Sequence, residues 1–296
     1  MRIPFYKAQA VGNDFLFTWV DTLPEPLKTK AEAEFLGTGV QKPGDSPDDL
    51  AKAARDLCHR NLGVGADGWY LMHPAREADV EIHLFNSDGS RAELSGNGTR
   101  CAAAVLTWEG CVMAPEGGVR VKTGSGVKRL TRAGRTDNGF LFEMEMGTPH
   151  LEPGALHTRL PLASGAREAA VLNVGNPQCA LAVPSLDFDW RSLGAEIEGH
   201  SMFPARTNVS FFRATGPGRI EARFYERGAG PTLSSGTGST GAAAAAILLG
   251  MAEPELEVIT EAGPMKLRWE SAPEGAIYLE GPAEVVARGE FFRKEN

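Results

Sequence analysis

The sequence predicts a duplicated α+β protein, and three observations predict it. Two near-identical turns lie 140 residues apart, Ser95-Gly96-Asn97-Gly98 and Ser235-Gly236-Thr237-Gly238. Each is preceded nine residues upstream by a polar side chain, Asn86 in one case and Glu226 in the other. Each opens into a helical stretch of small residues, Cys101-Ala102-Ala103-Ala104 or Gly241-Ala242-Ala243-Ala244. The surrounding chain carries strict period-two alternation, the mark of half-buried, antiparallel strands. Repetition of the turn and its helix points to two pseudo-symmetric domains with one site between the halves.

The elements follow in order. The opening Met1-Arg2-Ile3-Pro4-Phe5-Tyr6-Lys7 reads as a strand and not as a signal peptide. From Asp21 to Asp48 the chain is rich in Pro, Gly and charge, and reads as a surface excursion. Asp48 to Arg60 reads as a helix, with Ser46-Pro47 as a capping-like start and Leu50, Ala53, Ala54 and Leu57 on one face. Val80, Ile82 and Leu84 alternate with Asp79, Glu81 and His83 in a strand. Thr99 to Trp108 reads as the first Ala-rich helix. Further strands are expected near 118–124 and over Phe140 to Met146. Met146 to Arg159, with Pro149, Pro153 and two glycines, is the expected crossing between domains.

In the second half, strands are expected near 169–174, 179–183 and 207–213. Ile220, Ala222 and Phe224 alternate with Arg219, Glu221 and Arg223 in another. Thr240 to Leu249 reads as the second Ala-rich helix, followed by strands near 256–260, 264–269 and 276–280. A helix with so little side chain fits close neighbours on every side, so each is expected at the centre of a strand-rich unit. The domains divide as 1–147, joined by a returning strand at about 283–296, and 148–282.

Composition excludes several classes. At 296 residues, 42% hydrophobic and 23% charged, the chain can bury sizeable cores. No stretch approaches the roughly 18 apolar residues of a membrane span. A net charge of −8 argues against a nucleic-acid partner. Cys58, Cys101, Cys111 and Cys179 are scattered without metal or disulfide spacing, and the six histidines form no metal motif. The four cysteines read as residues of a reducing cytoplasm, and no metal site is expected.

The paired turns carry the chemistry. Glycines in a first helical turn let backbone N–H groups approach a ligand, and a helix N-terminus suits a carboxylate. Serine at such a place is also an ordinary helix cap. What exceeds capping is the repetition with matched upstream polar residues. Two hydroxyls, Ser95 and Ser235, on opposite sides of one ligand would suit removal of a proton from one face of a carbon and return to the other.

The residues that carry this pattern resemble the diaminopimelate epimerase family. Asn86-Ser87-Asp88-Gly89-Ser90 followed by Gly96-Asn97-Gly98-Thr99-Arg100-Cys101 is similar to its first signature. Tyr225-Glu226-Arg227-Gly228-Ala229-Gly230, then Gly236-Thr237-Gly238, is similar to the second. Gly12-Asn13-Asp14-Phe15, Gly175-Asn176-Pro177 and Arg206-Thr207-Asn208 match further segments in order, so the resemblance covers nearly the whole chain.

The resemblance implies a fold of two domains, each a mostly antiparallel strand barrel around a central helix. It implies an isomerase without cofactor or metal that interconverts LL- and meso-diaminopimelate, on the route to lysine, by two-base α-proton transfer. It further implies a small zwitterionic substrate, a cytoplasmic setting and a homodimer. Carried onto this chain, Gly96, Asn97, Gly236 and Thr237 would hold the α-carboxylate. Asn13, Asn86, Asn176, Asn208, Glu226 and Arg227 would hold the amino and distal groups, with Arg227 gripping a carboxylate in bidentate fashion.

The chain departs from the family where the reaction happens. The two proton-transfer cysteines of the family are Ser95 and Ser235 here. A thiol ionises near pH 8.5 and lower at a helix start, whereas a hydroxyl needs an adjacent base. His83, on the preceding strand, sits among outward-facing polar positions and is not that base. Gln178 stands where the family has histidine, Pro231 where glutamate is common, and Gly68 where a glutamine contacts substrate. Four readings fit: an epimerase with serine in the cysteine roles, a related isomerase or lyase with different chemistry, an inactive amino-acid-binding homologue, or an engineered Cys-to-Ser variant.

Overall fold

The computed structural model describes residues 1–37, 48–92, 95–111 and 118–293. They divide into two compact units, one formed by residues 1–142 and 282–296 and the other by 143–281.

The first unit begins with β1 (Arg2–Ala10) and β2 (Asn13–Trp19), an antiparallel pair. Helices α1 (Leu27–Phe35) and α2 (Asp48–Cys58) lead to β3 (Gly68–His73), which pairs parallel to β2. Next come β4 (Val80–Asn86), antiparallel to β3, and the short β5 (Arg91–Ala92) on its edge. Helix α3 (Gly96–Trp108) follows, then β6 (Val119–Thr123), parallel to β4, and its antiparallel partner β7 (Gly126–Arg135). Strand β8 (Phe140–Gly147) carries the chain into the second unit.

The second unit repeats this plan. After β9 (Thr158–Leu160), β10 (Arg167–Asn173) and β11 (Pro177–Ala182) pair antiparallel. Helix α4 (Trp190–Glu198) leads to β12 (Asn208–Gly216), parallel to β11. β13 (Arg219–Glu226) is antiparallel to β12 and carries β14 (Gly230–Thr232) on its edge. Helix α5 (Gly236–Leu248), β15 (Glu255–Thr260), parallel to β13, and β16 (Gly263–Trp269), antiparallel to β15, complete the copy. The last strand, β17 (Ile277–Phe292), pairs first with β16 and then returns to the first unit beside β1. Each copy thus has the same order of antiparallel and parallel pairings around one helix.

Both central helices are enclosed. Every residue from Gly96 to Leu106 in α3 and from Gly236 to Ala246 in α5 is buried. Alanine explains this: it forms helix well and leaves the backbone close to the strands. The outer sheet faces are covered by the helices between the second and third strands. In the first unit, α1 and α2 bring Leu27, Ala31, Leu50, Ala53 and Leu57 onto Leu16, Trp69, Leu71 and Phe85. In the second, Trp190, Leu193 and Ile197 of α4 pack on Cys179, Leu181, Val209 and Phe211.

Two expectations are corrected. The Asp21–Asp48 segment is not wholly a surface excursion, because α1 lies within it and buries Leu27 and Ala31. Its polar residues cover one side of a helix whose apolar stripe is only two residues deep. The Ala-rich helices begin at Gly96 and Gly236, ahead of the expected Thr99 and Thr240, because the serine before each supplies the cap. The Asp48 helix ends at Cys58, and its expected Ser46-Pro47 start lies outside the described residues. No helix among the described residues is long and apolar enough to cross a membrane.

Candidate active site

Ser95 and Ser235 both have extended backbone and both accept a hydrogen bond from the third helical residue. Gly98 N donates to Ser95 Oγ at 3.1 Å, and Gly238 N donates to Ser235 Oγ at 3.0 Å. This is the N-cap arrangement, and it satisfies one of the donors a helix start leaves unpaired. Capping and the proton-transfer role are compatible, because the same N–H would stabilise an anion on that oxygen. Ser235 is 2% exposed, whereas Ser95 is partly exposed.

In the first unit, two predicted residues meet at the turn: Asn97 Nδ2 donates to Asn13 Oδ1 at 3.4 Å. Arg100, wholly buried one helical turn on, donates through Nη2 to Asn97 Oδ1 at 2.6 Å. Burial lowers the Arg100 pKa to about 10, well short of neutrality. On its far side Asn13 donates to Asp67, which also accepts from Asp14 N at 3.1 Å. Arg60 bridges both carboxylates at 2.7 Å, and Lys7 lies 2.9 Å from Asp14. Burial and the neighbouring Asp14 charge raise the Asp67 pKa. Burial opposes ionisation of Asp14 too, but the hydrogen bonds from Arg60 and Lys7 outweigh it and hold that carboxyl low. Asn86 donates to Ser90 Oγ at 3.0 Å.

The second unit has the counterpart. Asn176 Nδ2 donates to Thr237 Oγ1 at 3.2 Å, so an asparagine again reaches the variable residue of the S-G-x-G turn. Asn176 is held from behind by Gln178, whose Nε2 donates to Asn176 Oδ1 at 2.6 Å. Asn208 accepts from Arg227 N at 3.0 Å and donates to Pro177 O at 2.9 Å, tying the Glu226-Arg227 turn to the edge of β11. Glu226 accepts from Thr232 Oγ1 at 2.8 Å. The Arg227 guanidinium has one long contact, Nη1 to Ala205 O at 3.5 Å.

Sequence reasoning missed two supporting residues, Asp67 and Glu198, and singled out Gln178 only as a departure from the family. Asp67 and Gln178 hold the two asparagines. Glu198, 7% exposed at the end of α4, accepts from Arg206 Nη1 at 3.1 Å and from Gly228 N at 3.2 Å. A carboxylate in the last turn of a helix opposes the helix dipole, and that was a readable sign of an outside partner.

Neither serine hydroxyl has a basic side chain within hydrogen-bond reach among the described residues. His83 is engaged with Glu34 and Glu81 at 3.6 and 3.3 Å and lies against the Phe35 ring. The cysteines do not stand in for serine. Burial pushes the Cys58 and Cys179 thiols up to about 12 and Cys101 higher still, while exposed Cys111 is raised by slight burial and Glu109. Among the described residues, no group of His, Cys, Asp and Glu could hold a metal ion.

Solved structures with the same fold include a hydroxyproline epimerase from Agrobacterium vitis with bound trans-4-hydroxy-L-proline, at a TM-score of 0.68 and 16% identity over 98% of this chain and 92% of that one. A PhzF-family phenazine biosynthesis protein from Bacillus anthracis gives 0.67 and 15% over 98% and 99%. In sequence the likeness is closer. The diaminopimelate epimerase of Pelotomaculum thermopropionicum is 36% identical over 97% of this chain and 98% of its own length. That of Synechococcus sp. strain JA-3-3Ab is also 36% identical, over 97% and 98%. The family model for diaminopimelate epimerase matches residues 41–152 and 170–286, taking in both serine-capped turns. The chain therefore belongs to the diaminopimelate epimerase family.

Proposed function

We propose that this chain interconverts LL- and meso-diaminopimelate without a cofactor, with Ser95 and Ser235 in the two proton-transfer positions. The observation that supports this reading is the twinned cap: two serine hydroxyls, each at a helix start, each beside a short run of backbone donors. The N–H groups of Gly96-Asn97 and Gly236-Thr237 suit the α-carboxylate. Glu226 suits an ammonium group and Arg227 a distal carboxylate. Asn13, Asn86, Asn176 and Asn208 suit the remaining polar atoms.

The reaction balances with one proton taken and one given. One serine, as its alkoxide, takes the α-proton. The other gives its hydroxyl proton to the opposite face and is left as the alkoxide for the reverse direction. The helix start and the capping N–H both favour that anion. A hydroxyl still ionises far above neutrality, so the active form is scarce and turnover is slow. Incubating LL-diaminopimelate with the protein in heavy water tests this. Deuterium at the α-carbon and a growing meso fraction are expected, and their absence ends the proposal.

A second reading is favoured by one observation: each serine oxygen has a backbone N–H partner and, among the described residues, no adjacent base. On that reading the protein holds diaminopimelate without turning it over, and titration would show binding with no deuterium gain. We further propose a cytoplasmic homodimer; a native mass of twice the 31.6 kDa chain would bear out the dimer.

A further inference from the structure

We propose that Gln178 is a positioning residue that fixes the rotation of the Asn176 carboxamide, so that Asn176 meets a bound ligand as an N–H donor and reads a carboxylate. This rests on the reading above that Asn176 contacts a bound amino acid.

Gln178 is fully buried beside α5. Its place exists because residue 241 is glycine: a Cβ there would lie 3.0 Å from Gln178 Cγ and 3.1 Å from Gln178 Cβ. Two carboxamides in series, Gln178 and Asn176, end on the Thr237 hydroxyl. Such a chain has two self-consistent settings. In one, Gln178 donates to Asn176 and Asn176 donates to Thr237. In the other both amides are turned over, Asn176 donates back to Gln178, and the Thr237 hydroxyl donates to Asn176.

The structure holds the first setting, and the accounting of polar groups explains why. It leaves Gln178 Oε1 buried without a partner among the described residues. The second setting would leave the Gln178 amino group, with its two hydrogens, unpartnered in the same place. A buried carbonyl short of a donor is tolerated better than a buried N–H without an acceptor. Gln178 therefore fixes Asn176 with its oxygen turned inward and its nitrogen toward the S-G-T-G turn. One Asn176 hydrogen goes to Thr237, and the other has no acceptor among the described residues. A half-buried N–H beside a helix start fits a carboxylate and repels an ammonium.

Two variants separate orientation from packing. Gln178→Glu keeps the shape; burial keeps its carboxyl protonated and donating until the pH is raised, and once ionised it can only accept, so at alkaline pH it selects the second setting and turns Asn176 Oδ1 toward the ligand. Gln178→Met keeps most of the volume and selects neither. At alkaline pH, calorimetric titration with meso-diaminopimelate is expected to show affinity about three- to tenfold weaker for Gln178→Met and about a hundredfold weaker for Gln178→Glu. A packing role alone would leave the isosteric Glu variant close to the parent, and equal affinities for all three proteins overturn the proposal.

Side-chain amide exchange by NMR gives a readout without ligand. The Asn176 NH2 signals, identified by their loss in Asn176→Ala, are expected to exchange about tenfold faster in Gln178→Met than in the parent. Unchanged exchange overturns the positioning role whether or not ligand binds. If the parent binds no diaminopimelate, the proposed function fails, and the exchange measurement alone then decides the role of Gln178.

Discussion

The two halves use the same turn but support it differently. In the first, Asn13 leans on the Asp67 carboxylate, itself one of a cluster with Asp14, Arg60 and Lys7. In the second, Asn176 leans on the neutral, buried Gln178. The first central helix carries a buried guanidinium, Arg100, whereas the second carries a buried threonine, Thr240, at the matching position. Duplication has thus kept what touches the turn and let the layer behind it diverge. One half is set by charge and the other by the geometry of a carboxamide.

The largest effect should come from what both halves lack. Ser95→Cys together with Ser235→Cys restores groups that ionise near pH 8.5 at two helix starts. Epimerisation of LL-diaminopimelate is expected to rise by about 10²–10⁴-fold, the usual range for a placed acid–base group. Each single variant should gain much less, because inversion needs both faces served. A double variant no faster than the parent would mean that the supporting layer has itself left the reaction behind.

Next in size is the close approach inside each turn. A Cβ at Gly98 would lie 2.1 Å from Tyr70 Oη and 2.5 Å from Tyr70 Cε2. Tyr70 cannot retreat, since its ring stacks on Phe17 at 4.9 Å and meets Phe15 edge-on at 5.3 Å. At Gly238 the nearest atom is Phe224 Cδ1 at 2.7 Å, then Ser235 Oγ and Cβ at 2.9 Å. Gly98→Ala is expected to cost about 3 kcal/mol and Gly238→Ala about 1–2 kcal/mol, the span seen for overpacked cores. Chemical denaturation measures both, and the reverse order would show that the first half is the more yielding.

The caps themselves come third. Replacing either serine by alanine removes an acceptor from a helix start, a change worth about 0.5–2 kcal/mol. Ser235→Ala should sit toward the upper end, because Ser235 is 2% exposed and water cannot replace it. Ser95, partly exposed, should sit toward the lower end. Equal losses in thermal unfolding would say that solvent does not reach the first cap.

How much of this was legible follows from which faces are buried. β4, β13 and β8 were read from alternation because one face of each is buried and the other is not. β3 escaped because five of its six residues are buried, so both faces are apolar and no period shows. β7 escaped for the opposite reason, with Leu130 its one buried residue. α4 escaped although Trp190, Leu193 and Ile197 mark an apolar stripe and Asp189 caps it. At the site, the serine caps were legible because capping is local in sequence. The asparagine supports were not: Asp67 is 54 positions from Asn13, and Gln178 gains its meaning only from burial against Gly241.

The smallest predicted effect tests the charge in the first half against the neutrality of the second. The Asp67 pKa is raised above 3.8 by burial and by Asp14, while that of Asp14 is lowered by Arg60 and Lys7 against its own burial. The two carboxyls therefore act in opposite senses on stability. What Asp14 contributes is present above pH 3.8 and is lost as pH falls through its lowered value. What protonated Asp67 contributes is present at low pH and is lost as pH rises through its raised value. Protonation also removes acceptor capacity that Asn13 uses, and it does so at a pH where ordinary carboxylates are still ionised. Affinity for meso-diaminopimelate should therefore fall on the acid side by about three- to tenfold, the worth of one net hydrogen bond. Asp67→Asn keeps a carbonyl acceptor for Asn13 and removes the titration, so its affinity should be flat over the same range. Gln178 has nothing to titrate, and the parent's acid-side fall should survive unchanged in Gln178→Met. Parallel pH profiles for the parent and Asp67→Asn would show that Asn13 does not depend on that carboxylate.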